Sequence, residues 1–248
     1  MIETSLFENS DLIALFTTLK MAFVTTVILM VIGTPLAWYL AKMNSRYKII
    51  IEAVVALPIV LPPTVLGFYL LIAFSPQHLP GQLWQTLTGQ QLAFSFSAIV
   101  IGSVFYSLPF VVQPLQKAFE QLGNNVLEAG AMLGANSIDR FFTLVLPITK
   151  ASFITATTLG FAHTVGEFGI VLMIGGNISG ETKVLSIALF EHVEAFNYAK
   201  AHLLAGSLLI GSFIVLGLIY LLNYTKPKIN LQSNNQRSIM MKGNVDEK

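Results

Sequence analysis

The chain has 248 residues, of which 54% are hydrophobic and only 11% charged, and its mean hydropathy is +0.70, against roughly a quarter charged in a soluble globular domain. That composition is an integral membrane protein's. A formal net charge of +1 gives no case for a nucleic-acid partner, which needs a concentrated basic patch, and zero Cys excludes disulfides and thiolate metal sites.

Runs apolar enough to cross about 30 Å of hydrocarbon, roughly 20 residues each, fall near 21–40, 49–74, 93–115, 151–174 and 202–224. Residues 1–20 carry Glu3, Glu8 and Asp11 in place of a basic leader, so they read as an external segment before a retained span, not as a cleaved signal peptide. Lys and Arg collect in short cytoplasmic loops. Lys42, Arg46 and Lys48 follow the first span, Lys117, Arg140 and Lys150 the third, and Lys226, Lys228, Arg237, Lys242 and Lys248 the fifth, while the other side has Lys20, Lys183 and Lys200. The N-terminus is expected outside and the C-terminus inside. Residues 21–224 then form the transmembrane domain, and 225–248, polar and without a period, a mobile cytoplasmic tail.

The second span contains LPIVLPPTVLG, where Pro58, Pro62 and Pro63 remove three backbone donors and predict a kink or break. Freed carbonyls at membrane depth are tolerated where they face protein or a water-filled cavity. The span therefore either lines a path, with Thr64 beside it, or carries a purely structural kink. A milder echo, LPFVVQP, bends the third span.

The cytoplasmic stretch 117–150 is too long for a simple connection. In EAGAMLGANSIDRFFTLVLP, Val126, Leu127, Gly130, Ala131 and Gly134 recur at three- and four-residue intervals, placing small and apolar groups on one helix face beside Glu128 and Asn125. Gly134 permits a sharp turn or the close approach of another backbone, and Asn136 or Ser137 caps a second helix from near Ile138, expected to end near Pro147. A small-residue face costs helix stability without filling a core, which suits docking into another protein's groove. The alternative is an amphipathic helix on the membrane surface, which calls for bulky apolar and basic faces.

The fourth span contains TVGEFGI. Glu167 is a carboxylate at membrane depth, read as functional by default, with Thr164 or a group on a neighbouring span as its expected partner. Gly166 and Gly169 thin the helix for packing or bending. No Gly is followed by Lys, so a phosphate-cradling P-loop is absent. The four His (His78, His163, His192 and His202) lack zinc spacing, and His163 reads as a hydrogen-bonded packing residue.

The run from Glu128 to Pro147 resembles the signature of ABC importer permeases at Glu128, Ala129, Gly130, Gly134, Leu144, Leu146 and Pro147, with Gly130 where Ala is usual and Leu144 where Ile is usual. The resemblance implies an all-α membrane protein of about five spans in the type I importer permease fold. It makes 117–150 a pair of coupling helices, with Glu128, Ala129, Gly130, Gly134, Ala135, Leu146 and Pro147 docking on a separate ATPase, present in two copies. LPIVLPPTVLG, GEFG and GNISGET further resemble the molybdate branch, beside the sulfate and thiosulfate permeases. That second resemblance implies a homodimer in a bacterial cytoplasmic membrane, an external molybdate-binding protein, and no cofactor, resident metal or catalytic residue. Pro62, Pro63, Thr64, Thr164, Gly166, Glu167, Phe168 and Gly169 become path or gate residues. An ionised Glu167 repels a dianion, so it is expected to hold the outer gate or to be protonated, with Thr64, Thr164 and backbone N–H groups as brief anion contacts. A proton-coupled transporter using Glu167 gives no reason for the cytoplasmic pattern, and a non-transporting scaffold gives none for the proline breaks.

Overall fold

The computed structural model describes residues 9–123 and 125–224; no strand occurs among them. The tail expected at 225–248 and the first eight residues of the expected external segment lie outside the described residues. Helix α1, Asn9–Lys42, is 34 residues long, about 50 Å at 1.5 Å per residue. It starts well ahead of the apolar run at 21, because its early polar residues do not interrupt a helix. The hydroxyls of Thr17, Thr18 and Thr26 donate to the carbonyls of Ile13, Ala14 and Ala22 at 3.0, 2.7 and 2.6 Å, which satisfies them without water.

Helices α2, Tyr47–Val60, and α3, Pro63–Phe74, are the two halves of the second apolar run, bent by 110° at Leu61 and Pro62. Pro63 opens α3, where its missing N–H costs nothing. The next loop holds a short helix, α4, Leu79–Thr88, closed by Gly89. Helix α5, Phe96–Leu122, absorbs Pro109 and Pro114 without a break and is capped by Ser95, whose hydroxyl accepts from the Ala98 N–H. The hairpin between α5 and α8 is α6, Asn125–Met132, and α7, Ser137–Arg140.

The expected helix end near Pro147 does not occur. A π-helical turn, Phe141–Val145, carries α7 into α8, Leu146–Val165, and the Leu146 N–H donates to the Phe141 carbonyl five residues back. The wider turn gives the Pro147 ring room that an α-turn would deny it. At its other end α8 stops nine residues before the expected limit at 174, and a separate short helix, α9, covers Gly169–Gly175. Helix α10, Leu185–Glu194, and α11, Tyr198–Tyr224, complete the described residues.

Among the described residues, four helical stretches are long and apolar enough to span a bilayer, five when α2 and α3 count as one broken span. Helices α1, α5 and α8 form the centre. Val111 is buried where they meet, and a Cβ added to Gly33 or Gly160 would approach its methyl groups to 3.1 and 2.8 Å; small residues let these backbones close up where lipid supplies no hydrophobic drive. Helix α11 lies at the periphery and exposes Leu209, Phe213 and Tyr220.

Candidate functional site

The hairpin of α6 and α7 is built by its small residues. Gly134 has φ +83°, with nothing near a Cβ added there, so its role is the left-handed turn and not a close approach. Its N–H donates to the Ala131 carbonyl at 2.9 Å and the Ala135 N–H to the Gly130 carbonyl at 3.1 Å, the paired closure of a Schellman C-cap. Asn136 caps α7, its Oδ1 accepting from the Asp139 N–H at 2.8 Å. Gly130 faces inward: a Cβ there would meet Leu144 Cδ1 at 2.7 Å and Arg140 Cγ at 3.2 Å. The departure from Ala at that position therefore has a packing cause within the chain. Arg140 Nη1 braces the hairpin by donating to the Leu127 carbonyl at 3.0 Å.

What the hairpin presents outward is larger. Glu128 and Ala129 are exposed and Ala135 is half-buried, but Met132 and Leu133 are each 88% exposed and Ile138 70%. An uncovered apolar tip of this kind marks an interaction surface. Sequence reasoning missed these three because it followed the glycine and alanine spacing; bulky apolar residues flanking Gly134 in a loop between two spans were the available signal. Leu146 and Pro147 stand apart from the tip, at the start of α8.

A second assembly joins the two helix breaks. Helix α3 packs along α9, with a glycine at each close point. A Cβ on Gly169 would reach Pro63 Cβ at 2.9 Å, and one on Gly67 would reach Met173 Cβ at 2.8 Å and the Ile170 backbone at 3.3 Å. Pro62, Pro63, Thr64 and Gly169, singled out on separate spans, are thus brought together. Thr64 and Pro62 are exposed at the break. Gly166 is exposed, and a Cβ added there would meet only the Ala162 and His163 carbonyls of its own helix, at 3.8 Å; its N–H reaches back to Ala162 at 3.3 Å and that of Glu167 to Thr164 at 3.3 Å, tightening the end of α8 before Phe168 opens α9.

Glu167 is 4% exposed and neither carboxyl oxygen has a hydrogen-bond partner. Ser103 stands close enough to act on the carboxyl, but its hydroxyl is directed to Met21 Sδ at 3.8 Å and closes no bond to it. The expected partner, Thr164, is committed elsewhere. It is fully buried, donates to the Gly160 carbonyl at 2.9 Å and lies 3.1 Å from Ser107 Oγ, which also removes it as an anion contact. His163 is a packing residue as expected, 2.8 Å from Ser107 Oγ and stacked on Phe110 at 4.0 Å between centroids. Ser186 donates to the Glu167 carbonyl at 2.6 Å, fixing the break. With no countercharge in hydrogen-bond reach, Glu167→Gln is expected to keep uptake within about threefold of wild type, and Glu167→Lys to lose about tenfold or more; initial uptake rates in vesicles check this.

At the end of the bundle that carries the hairpin, Lys48 donates to Glu120 at 2.9 Å, and Gln116 donates to Glu52 at 2.5 Å and to Glu120 at 3.0 Å, tying the start of α2 to the end of α5. The hydrogen bond from Lys48, then that from Gln116, pulls the Glu120 carboxyl down to about 2. A carboxylate so lowered stabilises the folded form fully above its unfolded value near 4.5 and loses that contribution as pH falls toward 2. Melting of the detergent-solubilised protein checks it: Lys48→Met is expected to lower Tm by a constant amount above about pH 5, the gap closing on acidification below about 4.5.

On the opposite side, GNISGET forms a loop stapled by Thr182, fully buried, whose hydroxyl donates to the Gly175 carbonyl at 2.6 Å and accepts from the Ile178 N–H at 3.2 Å. Asn177 and Lys183 both donate to Glu191 on α10. The segment is a structural clasp between α9 and α10. No group of three or more candidate metal-binding side chains occurs among the described residues.

Residues 33–225 match the family described as binding-protein-dependent transport system inner membrane components. The chain is 57% identical over 213 residues to the molybdenum transport system permease protein ModB of Azotobacter vinelandii, covering 86% of this chain and 94% of that one. It is 32% identical over 209 residues to the sulfate transport system permease protein CysT of Escherichia coli K12, covering 84% and 75%. A crystal structure of a bacterial ABC transporter involved in import of the acidic polysaccharide alginate shares the fold, with TM-score 0.69, 12% identity, and coverage of 92% of this chain and 82% of that one.

Proposed function

Because the chain belongs to the binding-protein-dependent transport system inner membrane components, a family of multi-pass permease subunits and not enzymes, we propose that it is the membrane path of an ABC importer for molybdate. The likeness that carries the choice of ion is the 57% identity, over nearly the whole length, to a molybdenum permease, against 32% to a sulfate permease. ATP is hydrolysed on a separate subunit, and a substrate-binding protein delivers the ion. The homodimer, two ATPase copies and the cytoplasmic placement of the hairpin belong to the proposal.

In this reading the α6–α7 hairpin enters a cleft of the ATPase, with Met132 and Leu133 as the buried anchors, Glu128, Ala129 and Ala135 at the rim, and Gly130 and Gly134 holding the shape. Arg140 and the π-helical turn join the hairpin to α8, so a displacement of the tip is carried along one continuous rod toward Glu167. There α8 ends, and the joint of Pro62, Pro63, Thr64, Gly166, Phe168 and Gly169 is the part able to rearrange. Thr64, exposed beside the break, is the hydroxyl best placed for brief contact with a passing oxyanion. Weak contact suits a path whose selection lies on the binding protein. Glu167, enclosed and without a cation beside it, holds the joint and does not bind the anion.

The experiment is competition. The chain is reconstituted with ATPase and binding protein, and uptake of labelled molybdate is followed with excess unlabelled molybdate, tungstate or sulfate. Suppression by unlabelled molybdate and tungstate but not by sulfate is expected; suppression by sulfate at lower concentrations than unlabelled molybdate assigns the importer to sulfate.

A further inference from the structure

Helix α1 leaves the apolar region beside the hairpin, and a polar cavity of about 140 Å³ lies between them, lined by Trp38, Lys42, Ser137, Arg140 and Phe141 among others. It holds two cations and no acid. Lys42 makes a cation–π contact with Trp38 at 4.1 Å, which uses the ring face and leaves its N–H donors free for an anion. Arg140 spends one donor from each nitrogen on the Asn136 carbonyl, the Leu127 carbonyl and the Ser137 hydroxyl, leaving two of its five. The ion pairs among the described residues are all made by other groups. Burial, and then the charge of Arg140, holds the Lys42 amine below its ordinary range, as expected of two cations placed together without a counterion.

Trp38 and Phe141 are shared with a second cavity, of about 610 Å³, which continues as an apolar groove past Pro35 and Phe153 to Met30 and Val31. From Trp38 to Met30 is about 12 Å of helix rise, close to the depth of about 15 Å of one hydrocarbon leaflet. Beyond Met30 and Val31 the groove runs on into a third apolar cavity, over Thr157 and Phe161 to Phe23. A Trp at the level where the groove meets the charged cavity is the usual marker of the membrane–water boundary.

We propose that an anionic phospholipid occupies this site, its phosphate between Lys42 and Arg140 and one acyl chain in the groove from Trp38 to Met30. A cationic cavity at the headgroup level, continuous with a leaflet-deep apolar groove, is the chemistry of a bound anionic lipid. A free phosphate-sized anion satisfies the cations and leaves the groove unexplained. A second copy of the chain has to bring an acid to this level. The lipid bridges α1, which is anchored in the bilayer, and Arg140, which braces the hairpin. It thereby makes the coupling element sensitive to the lipid composition of the leaflet on the hairpin's side; calling that leaflet cytoplasmic rests on the orientation proposed for the chain.

The test is native mass spectrometry of the full chain released from detergent, with phosphatidylglycerol and phosphatidylcholine at equal concentration. Wild type is expected to retain phosphatidylglycerol about fivefold over phosphatidylcholine. Lys42→Gln is expected to bring the ratio near parity, and Lys42→Arg to restore it; the restoring variant separates lost charge from lost folding. Val31→Trp, which fills the groove, is expected to reduce retention of both lipids. Parity in wild type, or an unchanged ratio in Lys42→Gln, overturns the site. Release of phosphatidylglycerol by excess inorganic phosphate as readily as by excess phosphatidylglycerol overturns the lipid in favour of a free anion.

Discussion

Replacing Leu133 with Asp is expected to weaken association with the ATPase by about 100-fold while leaving the permease folded. Burying a Leu side chain is worth about 1.5–3 kcal/mol, and an acid left in the desolvated centre of an interface adds a penalty, so a loss near 2.7 kcal/mol, or 100-fold, is a moderate expectation. The permease should not notice, because Leu133 is 88% exposed and makes no contact its own chain needs. Met132→Asp should act alike. Glu128→Ala, an exposed residue at the rim of the hairpin, should cost under about tenfold, as rim charges do. Titration of ATPase into the solubilised permease measures all three. Undiminished binding of Leu133→Asp would remove the apolar tip from the interface and return docking to the small residues.

Gly169→Leu is expected to cut transport by about tenfold or more without disturbing docking. The Cβ alone would sit 2.9 Å from Pro63 Cβ, and neither partner can yield easily, Pro63 being a rigid ring at the first turn of α3 and Gly169 the first residue of α9. The remaining carbons of Leu must displace α3 from α9. Overpacking of this sort costs about 1–3 kcal/mol or more, and here it falls on the joint between the two broken spans. Uptake should drop by about tenfold or more while ATPase binding stays at wild-type strength. Gly67→Leu, set against Met173 and the Ile170 backbone, should behave the same way. A Gly169→Leu variant with normal uptake would show that α3 and α9 need not pack closely for transport.

The all-helical, multi-span character and the hairpin were legible in the sequence because apolar length and the Gly134 turn are local signals. The break at Pro62 and Pro63 was equally so, since proline removes a donor wherever it falls. What the sequence hid is pairwise. That Gly169 lies against Pro63, and Gly130 against Leu144 and Arg140, depends on how distant segments pack, and no spacing rule reports it. Thr164 was a reasonable partner for Glu167 by proximity, yet its hydroxyl turns back to the carbonyl of Gly160, the cheap local bond open to any helical threonine. The end of the hairpin's second helix is not where proline as a stop signal puts it, because the π-helical turn before Pro147 accommodates the ring. Within the expected external segment 1–20, Asp11 is 3% exposed and faces His192 Nε2 at 3.2 Å, a long-range pairing that no local pattern reports.

That this chain conducts an oxyanion under the control of an ATPase docked on its hairpin is tested most directly by molybdate uptake into proteoliposomes. These hold the permease and ATPase, with binding protein outside and either ATP enclosed or a proton gradient imposed in its absence. Uptake with ATP, none with the gradient alone, and loss of the ATP-driven uptake in Leu133→Asp are the predicted results. Accumulation driven by the gradient without ATP, undiminished in Leu133→Asp, would contradict that control.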